Sequence, residues 1–457
     1  MSLTRVPRVV GAVALLACAT SATAQDTNYW NIQYGPVGQL LGGLVIGGSR
    51  DLSATFYNPG GLALEEGSNF LLSTESFQVE SFTTTPAGNI QIFDTGTTRF
   101  GSAPSLVAGA LPRSWLGEQT RLAWSFLTRQ ELKLRLGQRL TDPFDLPGGE
   151  SAAELLIDNQ TNESWAGLTV SRELSEAWGV GVTWYGVYRG QRSRNEVNFQ
   201  AISADQEALS ALGVTDFSYY HFRTLAKIGV AHDRGSFKLG LSVTTPSAGL
   251  FGSGDAGYTL SLIGVDSDGS GVPSPPLLVS QNAEGLDAQY KSSWAVGGGL
   301  AWYRGATRWH TSVEWFAPID RFVVIKLPNE EANPRQIRLS QQLKSVFNFG
   351  LGVEHDFGNG RSVYGAAFTD FSASVGDPEV NTAVSNWNLY HLSTGVKFRF
   401  VGNRFTLGAT YSFGNKDRPL PTPIPPEDAP DLGLDSTLGI SYRRVVVLLG
   451  FLFGDAR

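Results

Sequence analysis

The run Tyr390-His-Leu-Ser-Thr-Gly-Val-Lys-Phe-Arg-Phe400 decides the fold class. Tyr390, Leu392, Val396, Phe398 and Phe400 fall on one face, and His391, Ser393, Gly395, Lys397 and Arg399 on the other. Successive side chains point to opposite sides only in an extended chain, so this period of two reads as a strand between two different solvents. A little further on, Phe405, Leu407, Tyr411 and Phe413 alternate with Thr406, Gly408, Thr410 and Ser412. Upstream, Phe237, Leu239, Leu241 and Val243 alternate with Lys238, Gly240, Ser242 and Thr244. Trp294, Val296, Leu300 and Trp302 do the same against Ala295, Gly297, Gly299 and Ala301.

A soluble sandwich alternates as well, and the connections separate the two cases. The pattern predicts strands near 69–83, 98–112, 119–137, 161–174, 177–193, 215–233, 234–251, 288–304, 306–325, 336–356, 360–376, 383–401, 403–416 and 434–454, about fourteen in all. Connections after even-numbered strands are tight, as at Leu174 to Ala177, Asp233-Arg234 and Arg304 to Ala306. Those after odd-numbered strands are long, above all 138–160, 194–214 and 252–287. Short turns at one end and long loops at the other are the layout of an outer-membrane barrel. If the apolar face meets lipid, closure follows, because an unpaired backbone edge finds no water there. The expected fold is therefore all-β, a transmembrane antiparallel barrel over residues 69–457. Val445 to Phe453 does not obviously keep register with Leu438, Ile440 and Tyr442. A bulge near Arg443-Arg444, or a different start for the last strand, is expected there.

Composition fits. The 457 residues carry 53 glycines, 11 tryptophans, one cysteine and a net charge of −7, with only 17 % charged residues. That acidic balance gives no basic face for nucleic acid. Arg5 and Arg8 precede the apolar run Val9 to Ala19, and Ala22-Thr23-Ala24 makes a small-x-small cleavage site, so residues 1–24 read as a signal peptide. Leu15-Leu16-Ala17-Cys18 offers a competing lipoprotein site that would leave Cys18 lipidated. An exported chain with no apolar helical span is periplasmic, secreted or a barrel, and the alternation selects the barrel, delivered to the outer membrane of a Gram-negative cell.

Residues 25–68 do not alternate. Gly42-Gly43-Leu44-Val45-Ile46-Gly47-Gly48-Ser49 has phosphate-loop glycine spacing, but Gly48 stands where the lysine must be, so a flexible segment packed inside the barrel is the better reading. Ser49 to Leu64 reads SRDLSATFYNPGGLAL and runs into the first strand. It resembles the approach to Asn-Pro-Ala-Gly-Leu in the outer-membrane long-chain fatty-acid transporter family (FadL/TodX, OMPP1-like). Asn58, Pro59, Gly61, Leu62 and Ala63 match, and Gly60 replaces the alanine. Gly240 to Ser247 and Pro104-Ser-Leu-Val are fainter echoes. The resemblance implies a fourteen-stranded barrel plugged by an N-terminal hatch, with Asn58, Pro59, Gly60 and Gly61 at the gate. It also implies passive uptake of a hydrophobic solute, a fatty acid or hydrocarbon, captured on a groove between the long loops. The residues alone read Asn58-Pro59 equally well as a plain turn, with Gly60-Gly61 permitting reversal.

The loops supply candidate ligand contacts: Ile202, Leu209 and Leu212 in the helix-compatible run 201–212, and Tyr258, Leu260 and Leu262 in the loop 252–287. Such side chains either receive a ligand or pack on one another. Arg189, Lys238, Lys397 and Arg399 lie on polar faces, as lumen cations ordinarily do. Catalytic residues, metal ligands and cofactors are not expected. There is no Gly-x-Ser-x-Gly elbow, and Asp266-Ser-Asp268-Gly-Ser270-Gly271 lacks the glutamate that completes a calcium loop. The expected partners are a hydrophobic small molecule and membrane lipid, with the chain a monomer. The second reading is a barrel of the same architecture used for docking or secretion, and a lumen packed solid would favour it.

Overall fold

The computed structural model describes residues 27–49, 51–65, 69–86, 94–112, 117–141, 149–202, 207–264, 274–327, 339–375, 387–400, 403–419 and 437–453. The expected signal peptide, Cys18 and the half calcium loop at 266–271 lie outside them. Eighteen strands follow in order: β1 (Phe70–Pro86), β2 (Asp94–Leu111), β3 (Thr120–Thr141), β4 (Glu150–Ser175), β5 (Trp178–Ile202), β6 (Ala208–Asp233), β7 (Phe237–Thr244), β8 (Ala248–Ile263), β9 (Leu277–Asp287), β10 (Ala295–Arg304), β11 (Thr307–Phe316), β12 (Ile319–Ile325), β13 (Leu339–Leu343), β14 (Val346–Gly358), β15 (Arg361–Asp370), β16 (Leu389–Phe400), β17 (Asn403–Pro419) and β18 (Thr437–Phe453).

Fourteen of them close a ring, β1 to β7, then β10, β11 and β14 to β18, with β18 pairing back onto β1 and every ladder antiparallel. Each predicted strand has its counterpart in that ring. The seventh, expected over 234–251, stops at Thr244, where Thr245-Pro246-Ser247 interrupts the ladder, and β8 continues against the far half of β6. The ninth, expected over 306–325, is cut at Phe316. Its Ile319–Ile325 end leaves the wall to pair with Leu339–Leu343 as a separate hairpin.

The expected greasy face points outward. On β16, Tyr390, Leu392, Val396 and Phe398 are exposed while His391 and Ser393 are buried inside. Trp178, Trp302, Trp309 and Phe398 form an aromatic row near the short turns, and Tyr188, Trp294 and Tyr390 a second row further along. Phe398 lies eight positions along the strand from Tyr390. That is about 26 Å along a strand, and somewhat less across a tilted wall, as two membrane interfaces require.

The bulge expected near Arg443-Arg444 is not on β18. This strand runs unbroken with Tyr442, Arg444, Val446 and Leu448 inside and Arg443 and Val445 outside, and the register shifts on its partner β1 between Glu75 and Phe77. Its apolar run is continuous because both faces meet apolar matter. The outer face meets lipid, and Val446 and Leu448 share a core with the N-terminal segment.

That segment, 27–65, fills the lumen near the short turns. It holds three short helices, α1 (Pro36–Leu40), α2 (Ala54–Tyr57) and α3 (Pro59–Ala63). Tyr34, Leu40, Leu41, Leu52 and Leu62 are buried against wall residues such as Leu71, Leu106, Tyr185 and Leu225. The wall faces it with glycines. A Cβ on Gly240 would sit 2.0 Å from the Ile46 carbonyl oxygen, one on Gly299 2.5 Å from the Gly47 nitrogen, and one on Gly395 2.4 Å from the Leu40 side chain. The small residues on the inner faces of those strands let backbone lie on backbone.

Candidate functional site

Asn58 is the pivot of the luminal segment. It is extended, as the following proline demands, and its Oδ1 accepts from Gly60 N at 3.1 Å, capping α3 with Pro59 in its first turn. Its Nδ2 donates to Ile46 O at 3.0 Å and across to Val230 O in β6 at 2.9 Å. One side chain therefore ties the helix, the glycine-rich stretch and the wall together. Gly60 and Gly61 lie within α3 and do not reverse the chain. Gly60 is needed for room: a Cβ there would stand 2.7 Å from both Gly179 O and Gly229 O.

A second junction lies where β2 and β3 part. Among the described residues their ladder runs only from Leu106↔Leu127 to Leu111↔Leu122. Beyond it β2 stays paired to β1 as far as Asp94, and β3 to β4 as far as Thr141. The seam opens beside a register shift between Thr128 and Gln130. Tyr34 donates its hydroxyl to Thr128 O at 2.9 Å, and Arg129 reaches inward to donate to Tyr29 O at 2.6 Å. Burial raises the Tyr34 phenol, so it stays a neutral donor.

Above the segment lies a cavity of about 50 Å³, room for a few waters and not for a solute. Phe56, Trp165, Tyr290 and Phe316 line it, together with Arg129, Glu163, Arg223, Lys227 and Glu314. Glu163 accepts from Arg189 at 3.1 Å and Arg223 at 2.6 Å. Arg189 also stacks on Tyr290 at 3.8 Å. Lys227 stands 3.6 Å from Glu314, which takes a hydrogen bond from Trp30.

Further from the short turns the inner wall carries two apolar clusters, set among buried polar residues such as Asn159, Thr161, Gln191 and Ser193. The hairpin β12–β13 leans over the lumen, and Phe322, Val324 and Ile325 pack with Phe217, Tyr219 and Ala256. Beyond it Tyr258, Leu260 and Leu262 gather with Phe199, Ala201 and Ala211, and Leu209 packs against this group. These four predicted loop residues come together, and in this state they bury one another. Ile202 is exposed and Leu212 half-buried, outside that cluster. The helix-compatible reading of 201–212 does not hold: β5 runs to Ile202, β6 starts at Ala208, and Ala201 pairs with Leu209. Strand pairing to a long neighbour outweighs weak helical spacing.

The predicted cations divide. Arg189 belongs to the upper network, whereas Lys238 and Lys397 line a second cavity under the luminal segment, and Arg399 is exposed. Sequence reasoning missed Tyr34, Arg129, Glu163 and Arg223. Glu163 and Arg223 sit on the polar faces of β4 and β6, where alternation marks them as inward without saying which inward residues meet.

The closed ring, its lipid-facing exterior and its occupied lumen define a class: an obstructed fourteen-stranded transmembrane barrel of the outer-membrane type. Solved structures place it more narrowly. The chain is similar to a Pseudomonas aeruginosa FadL homologue, with a TM-score of 0.59 and 11 % identity, covering 94 % of this chain and 99 % of the other. It is also similar to the P. putida toluene transporter TodX, at 0.56 and 10 %, covering 93 % and 99 %. CymD, a monoaromatic hydrocarbon channel, scores 0.55 at 12 % identity with 93 % and 99 % covered. At this identity the likeness is one of fold. No family model matches the chain, and no curated protein sequence matches it.

Proposed function

We propose that this protein is an outer-membrane channel for passive uptake of hydrophobic small molecules, long-chain fatty acids or hydrocarbons, with residues 27–65 as its hatch. The short turns then face the periplasm and the long strands the exterior. The observation that carries the reading is the pair of apolar clusters on the inner wall above the hatch, one around Tyr258, Leu260 and Leu262 and one around Phe217, Phe322 and Val324. An open porin for polar solutes keeps its interior polar. Below these clusters lies the charged group of Arg189, Glu163 and Arg223, and at the level of Tyr34 and Arg129 the β2–β3 seam would give a sideways exit into lipid. The hatch is separate from the ring's ladders, held to the wall by side-chain hydrogen bonds, glycine contacts and apolar packing, an arrangement that can be released and remade. The fold is that of toluene and monoaromatic hydrocarbon transporters, which supports the solute class.

The nearly filled lumen is the observation that favours the docking role. The two readings separate in one experiment. Cells lacking the protein are grown on a panel of hydrophobic carbon sources and complemented with wild type, or with Gly48→Cys paired with Ala301→Cys, whose β-carbons would stand 3.2 Å apart, to lock the hatch onto β10. Transport predicts restored growth with wild type and, with the locked form, growth only after reduction. Growth on every source without the protein overturns transport and leaves docking.

A further inference from the structure

Buried charge does not balance around the cavity above the hatch. Arg129, Arg223, Lys227 and Lys291 line it, against Glu163 and Glu314. Arg189 stands behind Glu163 as a fifth cation, and Asp370, which accepts from Tyr29 N at 2.8 Å, is a third carboxylate close by. Glu75 and Glu80 do not line the cavity; Arg444 stands 2.6 Å from the first and 3.8 Å from the second. Lys291 is exposed, so water carries its charge. Among the described residues that leaves four buried cations, Arg129, Arg189, Arg223 and Lys227, facing three buried carboxylates. The rings of Phe56, Trp165 and Tyr290 lie against these cations and carry no net charge.

The carboxylates are already engaged. Glu163 accepts from Arg189, Arg223 and Trp165, and Glu314 accepts from Trp30 with Lys227 beside it. Arg129 makes no ion pair among the described residues and donates to Tyr29 O. Arg223 Nη1 and the Tyr29 hydroxyl are buried with no hydrogen-bond partner, and both residues line the cavity. A buried charge without a partner is costly, and an ion of opposite sign removes that cost. The cavity admits only a few waters, so the ion must be about the size of one, and a head group with its chain attached does not fit. We propose that this is a binding site for one small inorganic anion, a halide such as chloride, held by Arg129, Arg223 and Lys227. Tyr29 belongs to the luminal segment, Arg129 to β3, and Arg223 and Lys227 to β6. The ion would therefore clamp the start of the segment to the wall by charge, where Asn58 holds its far part by hydrogen bonds. The site is independent of the transport reading.

The test is hydrogen exchange of residues 27–31 in the full mature chain in detergent, with chloride replaced stepwise by gluconate at constant ionic strength. Chloride should slow exchange saturably, by about elevenfold at ten times its half-saturating concentration. Bromide should substitute, and anomalous scattering from crystals grown in bromide should show a peak in the cavity. Arg129→Gln removes the surplus cation without breaking an ion pair among the described residues, and should abolish the halide dependence. Glu314→Gln raises the surplus and should move half-saturation to lower chloride. Lys344→Gln, at an exposed lysine, should change nothing. Heat-modifiable migration verifies that each variant is folded, and the Glu314→Gln arm stands if Arg129→Gln does not fold. Equal exchange in chloride and gluconate, or no bromide peak in the cavity, overturns the site. Sulfate as effective as chloride marks a general salt effect and overturns it too. Protection by hexadecanoate with none by chloride overturns the halide in favour of a solute head group.

Discussion

Replacing Asn58 with alanine should unfasten the hatch without unfolding the barrel. The substitution removes donors to Ile46 O and Val230 O and the acceptor that caps Gly60 N. Two buried hydrogen bonds at about 1 kcal/mol each and a helix cap at about 1 kcal/mol sum to about 3 kcal/mol. At 1.4 kcal/mol per decade, the undocked population of the segment rises about 100-fold. None of the ring's own ladders passes through the Asn58 side chain, so the wall should hold. Hydrogen exchange followed by mass spectrometry on the detergent-solubilised protein reads this directly, with faster exchange in residues 46–64 and unchanged exchange in β14 to β17. Asn58→Asp makes the reasoning sharper. It keeps the cap acceptor but faces two carbonyl oxygens with a carboxylate, so it should loosen the segment at least as much as alanine. Exchange within about twofold of wild type in Asn58→Ala, with Asn58→Asp equally silent, would refute the pivot and reduce Asn58 to a turn residue.

Gly60→Ala forces a methyl to within 2.7 Å of two strand carbonyls; overpacking of about 1–3 kcal/mol should expose the hatch to added protease, whereas Gly298→Ala, with open space around it, should not. Tyr34→Phe removes the donor to Thr128 O at the seam. The loss of about 1 kcal/mol should raise entry of a hydrophobic dye into proteoliposomes about fivefold, and an unchanged rate would mean the seam is sealed by other contacts. Glu163→Gln leaves Arg189 and Arg223 buried with no carboxylate between them. A penalty of about 3–5 kcal/mol should appear as a lower thermal unfolding midpoint, and a midpoint equal to wild type would show that water reaches the pair.

The ring was legible because lipid imposes a strict period: Tyr390 to Phe400 declares which face is outside, and the tight turn at Asp233-Arg234 declares which end is short. The luminal segment was legible in part, since its lack of alternation and its glycines exclude a strand. What those glycines touch was not, because Gly60 meets Gly179 and Gly229 only after the chain has closed on itself. The long connections hid their strands for a related reason. Outside the membrane no second solvent enforces alternation, so the run 201–212 carried helix spacing, yet Ala201 and Ile202 pair edge to edge with Leu209 and Ala208. Likewise the run ending β18 looked out of register because its inner face leans on another apolar surface that strand periodicity cannot reveal.

Strands β4, β5 and β6 are 26, 25 and 26 residues long. Crossing the hydrocarbon needs only about 10 residues, so about fifteen of each, roughly 50 Å of chain, stand clear of it. An outer membrane is coated by hydrated sugar, a layer that water-averse molecules enter poorly. A stiff tower with Phe199, Tyr258 and Leu260 packed on its inner face holds an apolar surface out through that coat. On the uptake proposed above, a solute striking the summit would be sheltered from water along that surface, and the slowest leg of its journey would shift from the sugar to the movement of the luminal segment.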